Sequence, residues 1–521
     1  MKGYNYYLLA VLVLIYSIYE YETYLFAVAK LPAIDYDSYG YALLDGPLYT
    51  IFCTGLTIYF SFEKETKNKA KLLGGTAWCS SLLLGLVAAS QNFWQVAVLR
   101  SLIGLAGAVF TPFATGILAA YFDDENTQGT VFGVFYTSIF FGYGLAISVG
   151  PFINSLLGWQ LSYILVAGVG IFVGLIAQCT LEDRRPRKPS LAADYLIQTP
   201  SASPEASPLF LASSNKHDFW ALLRFWTHSP ALIFLSVGSG IRNAAGTIWG
   251  YYTALFFMPF FDTTETKCIS SYDANLEDSQ ECTETHPYCV DGNCANLNPC
   301  PWHNVGMPER SMLIYMSWIP ILAGCLGLIM GGVASDWFAQ RKGPRARVIF
   351  AACSTVAAVP FYFLMLVLDR PWCFLSILPA ALIGEVWRGL VMALIVELSP
   401  ENEIVASTAI HMFIVCNVAG NAPILVPLFE QIFYSEKEFS FQAASMLSDN
   451  QITYFIKAEN AKSLELSLMI CLPGLYLLAS LFFFATLYFI RKEPKLHAKH
   501  GSIDYYGAIY LHDEPSVFTR D

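Results

Sequence analysis

Two acidic residues interrupt the first apolar stretch of this sequence. Glu20 and Glu22 lie two positions apart, so on a helix they point about 200° away from each other. An ionised carboxylate facing lipid is unfavourable, and we therefore expect at least one of the two to face an internal cavity. Burial favours the neutral form of a carboxyl group, which makes both residues candidates for binding a proton. The alternative is that the helix begins later and one of them lies at the membrane surface.

Other charged or polar residues also fall inside apolar stretches. Glu385 and Arg388 are three positions apart, so they share one helix face and can pair. Arg100, Arg242 and His411 lie in three further stretches. Sparse cations within apolar walls suit an amphipathic organic anion, with the cations at its headgroup and the walls around its tail. The alternatives are a purely structural Glu385–Arg388 pair, and an Arg100 side chain that reaches to the membrane surface.

Small residues followed by charges end the eighth apolar stretch. Gly332 precedes Asp336 by four positions, and Arg341 begins a basic loop. The glycine allows two helices to approach closely, and the acid can pair with a basic residue to hold the helices together. We interpret these three residues as a gate on the cytosolic side. A basic loop that only fixes topology would explain the charges, but not the spacing of the glycine and the aspartate.

The composition of the whole chain indicates a membrane protein. Of its 521 residues, 55% are hydrophobic and 14% are charged, whereas about 25% are charged in ordinary globular proteins. Twelve apolar stretches are each near the ~20 residues that cross a bilayer as a helix. We predict an all-α polytopic membrane protein with spans at 6–31, 40–62, 72–91, 93–121, 130–156, 160–181, 229–261, 309–335, 347–368, 372–398, 403–430 and 465–490. The first span is too long and too charged for a cleavable signal peptide.

The spans divide into two sets of six, an arrangement typical of membrane proteins whose two halves open a central cleft to each side in turn. The basic clusters all fall on the side that the positive-inside rule makes cytosolic, together with both termini. Each cluster adjoins a span, so nucleic-acid binding is not indicated. The expected organisation is a first half at 1–181, a cytosolic linker with an amphipathic helix at 182–228, a second half at 229–490 and a cytosolic tail at 491–521.

Five cysteines crowd into one polar loop, 262–308, expected on the non-cytosolic face; a second insertion on that face is expected at 431–464. Disulfides persist there, so we expect two bridges and one remaining thiol among Cys268, Cys282, Cys289, Cys294 and Cys300. Zinc is the alternative, although the loop has no CxxC pair. The sequence has no recognisable metal-ligand cluster, phosphate loop or nucleophile set, so neither an enzyme nor a cofactor is predicted.

The segment from Gly332 to Lys342 resembles the loop signature of the major facilitator superfamily, Gly-x-x-x-Asp followed by Arg or Lys. Arg100 to Gly104 resembles its Arg-x-x-x-Gly signature, and Gly150-Pro151 resembles part of its fifth-helix motif. Within the superfamily the chain is similar to the spinster branch, at Gly240–Gly246, Gly384–Gly389 and Ile404–Ala409. Spinster proteins usually carry an adjacent Asp-Arg pair in the first helix. Here that place holds Glu20-Tyr-Glu22 without an arginine, so the resemblance assigns the acid's role to Glu22, with Glu20 as the alternative.

The resemblance implies a twelve-helix secondary transporter that works by alternating access and exports a lysophospholipid or sphingoid phosphate, coupled to protons. The alternatives are a transporter of a small polar organic anion or sugar, since one fold hosts many substrates, and a receptor or scaffold that does not transport. The expected partners are the substrate, protons and membrane lipids. A monomer at the plasma membrane or an endolysosomal membrane is expected.

Overall fold

In the computed structural model of the chain, the described residues form helices joined by turns. The structure describes residues 2–28, 69–122, 127–182, 219–257, 309–368, 372–399, 403–433 and 449–492. The first helices are α1 (Lys2–Val28), α2 (Lys69–Val87), α3 (Phe93–Gly107), α4 (Phe110–Tyr121), α5 (Gln128–Leu157) and α6 (Trp159–Thr180). They are followed by α7 (Phe219–His228), α8 (Pro230–Phe257), α9 (Glu309–Lys342), α10 (Pro344–Val367), α11 (Trp372–Gly384), α12 (Trp387–Leu398), α13 (Ile404–Asn421), a 3₁₀ turn (Ala422–Ile424), α14 (Leu425–Phe433) and α15 (Asp449–Lys492).

Within the described residues, ten helical segments are long and apolar enough to cross a membrane. The chain is thus an all-helical, multi-pass membrane protein, as its composition predicts. The predicted span at 40–62 lies outside the described residues, and the one at 372–398 is divided into two shorter helices, α11 and α12. The total of twelve spans therefore stays a prediction.

Two predicted spans are interrupted at corresponding positions of the two halves. The fourth breaks between α3 and α4, after Gly107, and the tenth breaks between α11 and α12, after Gly384. Both were predicted as continuous spans, because an apolar pattern reports burial rather than backbone continuity. At the first break, a side-chain carbon on Gly107 would overlap the ring of Tyr19 from α1. Interrupted helices at matching places in two repeats are a mark of the binding region in membrane proteins of this architecture.

Two helices extend beyond the apolar stretches that predicted them. α9 continues to Lys342, and α15 begins at Asp449 within the expected insertion at 431–464. Polar residues can continue a helix beyond the apolar region when no glycine or proline interrupts them. The ends of the apolar stretches therefore did not predict the ends of these two helices. α9 stops where Gly343 adopts a φ of 72°, a left-handed conformation that favours glycine. The helix predicted in the linker is present as α7, and the indole of its buried Trp226 donates to Ser407 Oγ of α13 at 3.4 Å.

We call α1–α6 the first half and α8–α15 the second half. They meet through α5, which packs along α1 in the first half and against α9 and α12 of the second. The crossing with α9 depends on glycines. A Cβ on Gly332 would lie 2.5 Å from the carbonyl oxygen of Gly129, and a Cβ on Gly133 would lie 2.5 Å from that of Leu328. Since both obstacles are backbone atoms, small residues are required for the two helices to approach this closely.

We expect Gly332→Ala to lower the melting temperature of the purified protein. The new methyl group presses on the backbone of α5, and overpacking of this kind costs about 1–3 kcal/mol. Gly168→Ala on α6 is the matched control, because a Cβ there meets nothing within 4 Å and alanine favours helix. Thermal unfolding in detergent compares the two variants, and equal melting temperatures would contradict the close crossing of α5 and α9.

Candidate functional site

A cavity of about 210 Å³ lies between the two halves. Residues of α1, α3, α4 and α5 line it from the first half, and residues of α8, α12 and α13 from the second. Both helix breaks border it, with Gly107 at the first and Trp387 at the second. The charged side chains in its lining are Glu20 from α1 and Arg388 from α12. The cavity therefore presents one acid and one base, contributed by different halves.

Arg388 belongs to a buried charge cluster at the second break. Its Nε donates to Glu385 Oε2 at 3.1 Å, and Glu385 Oε1 accepts from Arg242 Nη2 at 2.9 Å. The same Arg242 nitrogen donates to the carbonyl of Gly384 at 2.7 Å. That carbonyl ends α11, where the helix dipole places partial negative charge. The predicted pairing of Glu385 with Arg388 is present, and Arg242 joins it from α8.

The two arginines of this cluster differ in their access to the cavity. The Arg242 side chain is fully buried, with its guanidinium carbon 3.8 Å from the ring centroid of Tyr476. The Arg388 side chain retains 16% of its exposure and lines the cavity. Arg388 is therefore the cation that a solute can reach, whereas Arg242 holds the cluster in place.

The two acids of α1 face different surroundings, as their spacing predicts. Glu20 lines the cavity, which Arg388 lines from the second half. Glu22 is fully buried inside the first half. Its oxygens accept hydrogen bonds from Ser80 Oγ at 3.4 Å and from Ser81 Oγ, both on α2. A separate void of about 10 Å³ adjoins Glu22, which is close to the volume one water molecule needs.

Arg100 is fully buried in the first half, so it does not reach to the membrane surface. Its guanidinium carbon lies 4.4 Å from the ring centroid of Phe26, and its Nη2 donates to the carbonyl of Thr23 at 3.4 Å. It is a charged neighbour of Glu22 and, more weakly, of Glu20. Arg100 thus supplies positive charge behind α1.

His411 lines the cavity from α13, with its Nδ1 2.8 Å from Ser236 Oγ of α8. Sequence reasoning missed several other lining residues, among them Tyr16, Tyr24 and Asn243. Tyr16 and Tyr24 lie four residues before and after Glu20, on the same face of α1. That periodicity is the signal that would have found them.

Asp336 joins the two halves at the start of α5. Its carboxylate accepts from the backbone N–H groups of Gly129 at 3.0 Å and Thr130 at 2.8 Å, and from the Thr130 hydroxyl at 2.7 Å. First-turn N–H groups have no partner within their own helix, so Asp336 of α9 caps a helix of the other half. Arg347 of α10 holds the same carboxylate at 2.9 Å and also pairs with Glu397 of α12. We refer to this contact as the Asp336 latch.

Arg341, which we grouped with Gly332 and Asp336 as a gate, is not the basic residue that pairs with Asp336 in the described part of the chain. It is exposed, and its guanidinium carbon lies 3.8 Å from the ring centroid of Trp337. Arg347 pairs with Asp336 instead, because α9 and α10 run back along each other from the turn at Gly343. Arg347 belongs to one of the basic clusters that adjoin the spans, and the position of the turn at Gly343 is the signal that would have indicated its role.

Aromatic rings connect the halves on the other side of the cavity. The ring centroid of Tyr143 on α5 lies 4.8 Å from that of Tyr24 on α1 and 5.4 Å from that of Trp249 on α8. At 1.5 Å per residue, Tyr143 lies roughly 20 Å along α5 from Gly129 in the Asp336 latch. The cavity is therefore bounded by a polar contact toward one end of α5 and an aromatic contact toward the other. The cysteines at 268, 282, 289, 294 and 300 lie outside the described residues, and their pairing stays a prediction.

Comparison with known proteins agrees with this architecture. The model of the Major Facilitator Superfamily matches residues 68–273. The solved structure of a bacterial homologue of the human lysosomal transporter spinster, in an inward-facing conformation, has a TM-score of 0.63 at 16% identity and covers 94% of this chain and 98% of its own. The *E. coli* fucose:proton symporter has a TM-score of 0.53 at 13% identity, covering 93% of this chain and 97% of its own. These likenesses show the fold.

Sequence relatives include spinster proteins. Protein spinster homolog 1 of *Rattus norvegicus* is 23% identical over 331 residues, which are 62% of this chain and 53% of the relative. A probable sphingolipid transporter, spinster homolog 1 of *Arabidopsis thaliana*, is 29% identical over 173 residues, 30% of this chain and 34% of the relative. The chain spans about half the length of the rat relative that it matches. Residues 68–273 match the Major Facilitator Superfamily model, the chain shares the fold of these solved structures, and its resemblance to spinster proteins is confirmed.

We expect Arg242→Ala to destabilise the protein strongly. Removing one partner of a buried ion pair leaves an uncompensated charge and costs about 3–5 kcal/mol, and the carbonyl of Gly384 loses its donor as well. Arg224→Ala on the exposed face of α7 is the matched control and should change stability by less than about 0.5 kcal/mol. Thermal unfolding of both variants measures the difference. Similar melting temperatures would show that Arg242 is not needed to compensate the buried charge of Glu385.

Proposed function

We propose that the chain is a secondary active transporter that works by alternating access on an amphipathic anion. The observation that carries the proposal is the central cavity, which lies between two halves and exposes Arg388 as a cation. Arg388 provides a binding group for an anionic headgroup, while nearby Trp387, Val391 and Met392 provide apolar surface for a tail. The retained charges in both halves favour transport over a receptor that only kept the fold.

The substrate class we propose is a lysophospholipid or sphingoid phosphate. The description of the plant relative as a probable sphingolipid transporter supports this class. A small polar organic anion or a sugar is the second candidate, because the cavity of about 210 Å³ is small and is lined by polar side chains such as Tyr16, Thr111 and Asn243. A lipid would have to place its headgroup in this cavity and its tail outside it.

The two contacts that bound the cavity support alternating access. Opening toward the Asp336 end requires Asp336 to leave the N–H groups of Gly129 and Thr130. Opening toward the other end requires Tyr143 to separate from Trp249. Since the polar and the aromatic contacts lie at different ends of α5, each can break while the other holds.

We further propose that protons drive transport through Glu22, which is buried beside Ser81 and near Arg100. The proposal also includes twelve spans, cytosolic termini and a monomer. It further includes the two halves at 1–181 and 229–490 and a location in the plasma membrane or an endolysosomal membrane. The positive-inside pattern of the basic clusters supports the orientation.

Transport by purified protein in liposomes tests the proposed function. We expect labelled lysophosphatidylcholine or sphingosine 1-phosphate to move faster when a pH gradient is imposed, and Arg388→Ala to slow that movement by about tenfold or more. Hydrogen bonds to charged groups contribute about 1.5–3 kcal/mol, which accounts for a change of this size. Arg224→Ala, an exposed arginine far from the cavity lining, should transport like the wild type. Wild-type rates equal to those of Arg388→Ala for both lipids would withdraw the lipid substrate and direct the same assay to polar metabolites.

We expect Asp336→Asn to let the two halves separate at the Asp336 latch. The asparagine keeps the size of the side chain but loses the charge that holds Arg347 and the first-turn N–H groups of α5, each worth about 1.5–3 kcal/mol. Spin labels at Thr127 and Lys342, which are exposed on different halves at this end, report the separation when the exposed native cysteines are replaced by serine. The variant should shift the distance distribution to longer values. An unchanged distribution would mean that the latch does not set the equilibrium.

A further inference from the structure

The cavity presents two opposite charges that come from different halves. Glu20 on α1 and Arg388 on α12 both line it. Tyr16, one turn before Glu20 on α1, also lines the cavity, and its hydroxyl oxygen accepts from Thr111 Oγ1 at 3.5 Å.

The charge cluster of the second half is not neutral by itself. Two guanidinium groups, those of Arg242 and Arg388, share the single carboxylate of Glu385. Among the described residues of this cluster, the sum is one positive charge, which Glu20 balances across the cavity. The other titratable groups that face the cavity are His411, Cys416, Tyr19, Tyr24 and Tyr136, and tyrosine and cysteine are ordinarily neutral at pH 7.

An anion in the cavity competes directly with Glu20. It would be drawn to Arg388, the cation that a solute can reach, and it would repel the ionised carboxylate beside it. A buried charge that is not compensated by an opposite charge is unfavourable. The carboxyl group of Glu20 avoids this cost by taking up a proton.

We propose that Glu20 is the counter-ion of Arg388 in the empty cavity, and that an anionic substrate displaces it and thereby drives Glu20 to bind a proton. This inference rests on the proposed function and deepens it, because it places an exchange of substrate for charge inside the binding cavity, separate from Glu22. No bond is made or broken except to the proton, which comes from water and returns to water when the anion leaves.

The same arrangement selects among headgroups by charge. A plain anion neutralises Arg388 only and requires a proton on Glu20. A zwitterion can place its negative group at Arg388 and its positive group at Glu20, so it binds without taking up a proton. Because the two residues belong to different halves, any rearrangement that separates the halves also separates this pair.

Calorimetry on the purified full-length chain tests the inference without transport. Octanesulfonate, a probe whose own charge does not titrate, is bound at pH 8 in two buffers with different ionisation enthalpies, and the difference gives the number of protons taken up. We expect the wild type to take up about one proton per anion, with affinity falling roughly tenfold per pH unit above neutrality. Glu20→Gln should bind without proton uptake and without this pH dependence.

Matched variants and a second probe exclude other sources of the proton. Glu22→Gln and His411→Asn should still take up about one proton, as should Glu20→Asp, which keeps a carboxyl group. An octyl sulfobetaine, which is zwitterionic, should bind to the wild type with no proton uptake. If Glu20→Gln does not fold, the wild-type pH dependence and the sulfobetaine comparison still decide the matter.

Several results would overturn the inference while leaving the transporter intact. They are octanesulfonate binding to the wild type without proton uptake, proton uptake that persists in Glu20→Gln, and uptake that disappears only in Glu22→Gln or His411→Asn. Absence of octanesulfonate binding would overturn it as well. Failure of the proposed function is separate, since it appears as absent transport in liposomes.

Discussion

One carboxylate shared by two arginines organises the second half of this protein. Glu385 lies at the break between α11 and α12, and Arg242 from α8 holds both its carboxylate and the carbonyl that ends α11. An interrupted helix in a membrane leaves backbone groups without partners, which is costly unless a neighbour supplies them. Arg242 supplies one, so the charge cluster and the break depend on each other. Arg388 is thereby fixed at the cavity, with its charge only partly neutralised by Glu385.

The first half also contains an interrupted helix and buried charges, but different contacts hold them in place. Its break between α3 and α4 depends on close packing, since Gly107 leaves room for the ring of Tyr19. Among its described residues, the fully buried charges are Glu22 on α1, which is held against α2, and Arg100 on α3, which lies near it. The adjacent arginine usual in the first helix of spinster proteins is missing here, and Arg100 contributes positive charge to the same region from another helix. Charge near the acid of α1 is thus kept although its position in the sequence differs.

The sequence could predict the helical class and the placement of charges, but not the contacts between helices. Apolar length indicates a span, and the spacing of Glu20 and Glu22 correctly predicted that they face different ways. The breaks after Gly107 and Gly384 were missed, because each lies inside a stretch long and apolar enough to be a single span. Which basic residue pairs with Asp336 was left open, since pairing across a turn depends on where α9 ends. Such features are set by tertiary packing, which a single sequence does not display.

The two acids of α1 show why this difference matters for mechanism. Resemblance to the spinster branch favoured Glu22, yet Glu22 is enclosed within the first half and Glu20 is the acid that meets the cavity. A group enclosed in one half senses the substrate only through movement of that half. A group in the cavity senses the charge of the substrate directly, and Glu20 lines the same cavity as Arg388 of the opposite half. In the proposed transporter, Glu20 would respond to substrate charge and Glu22 to the position of the halves, which are separate requirements for coupling a solute to a proton.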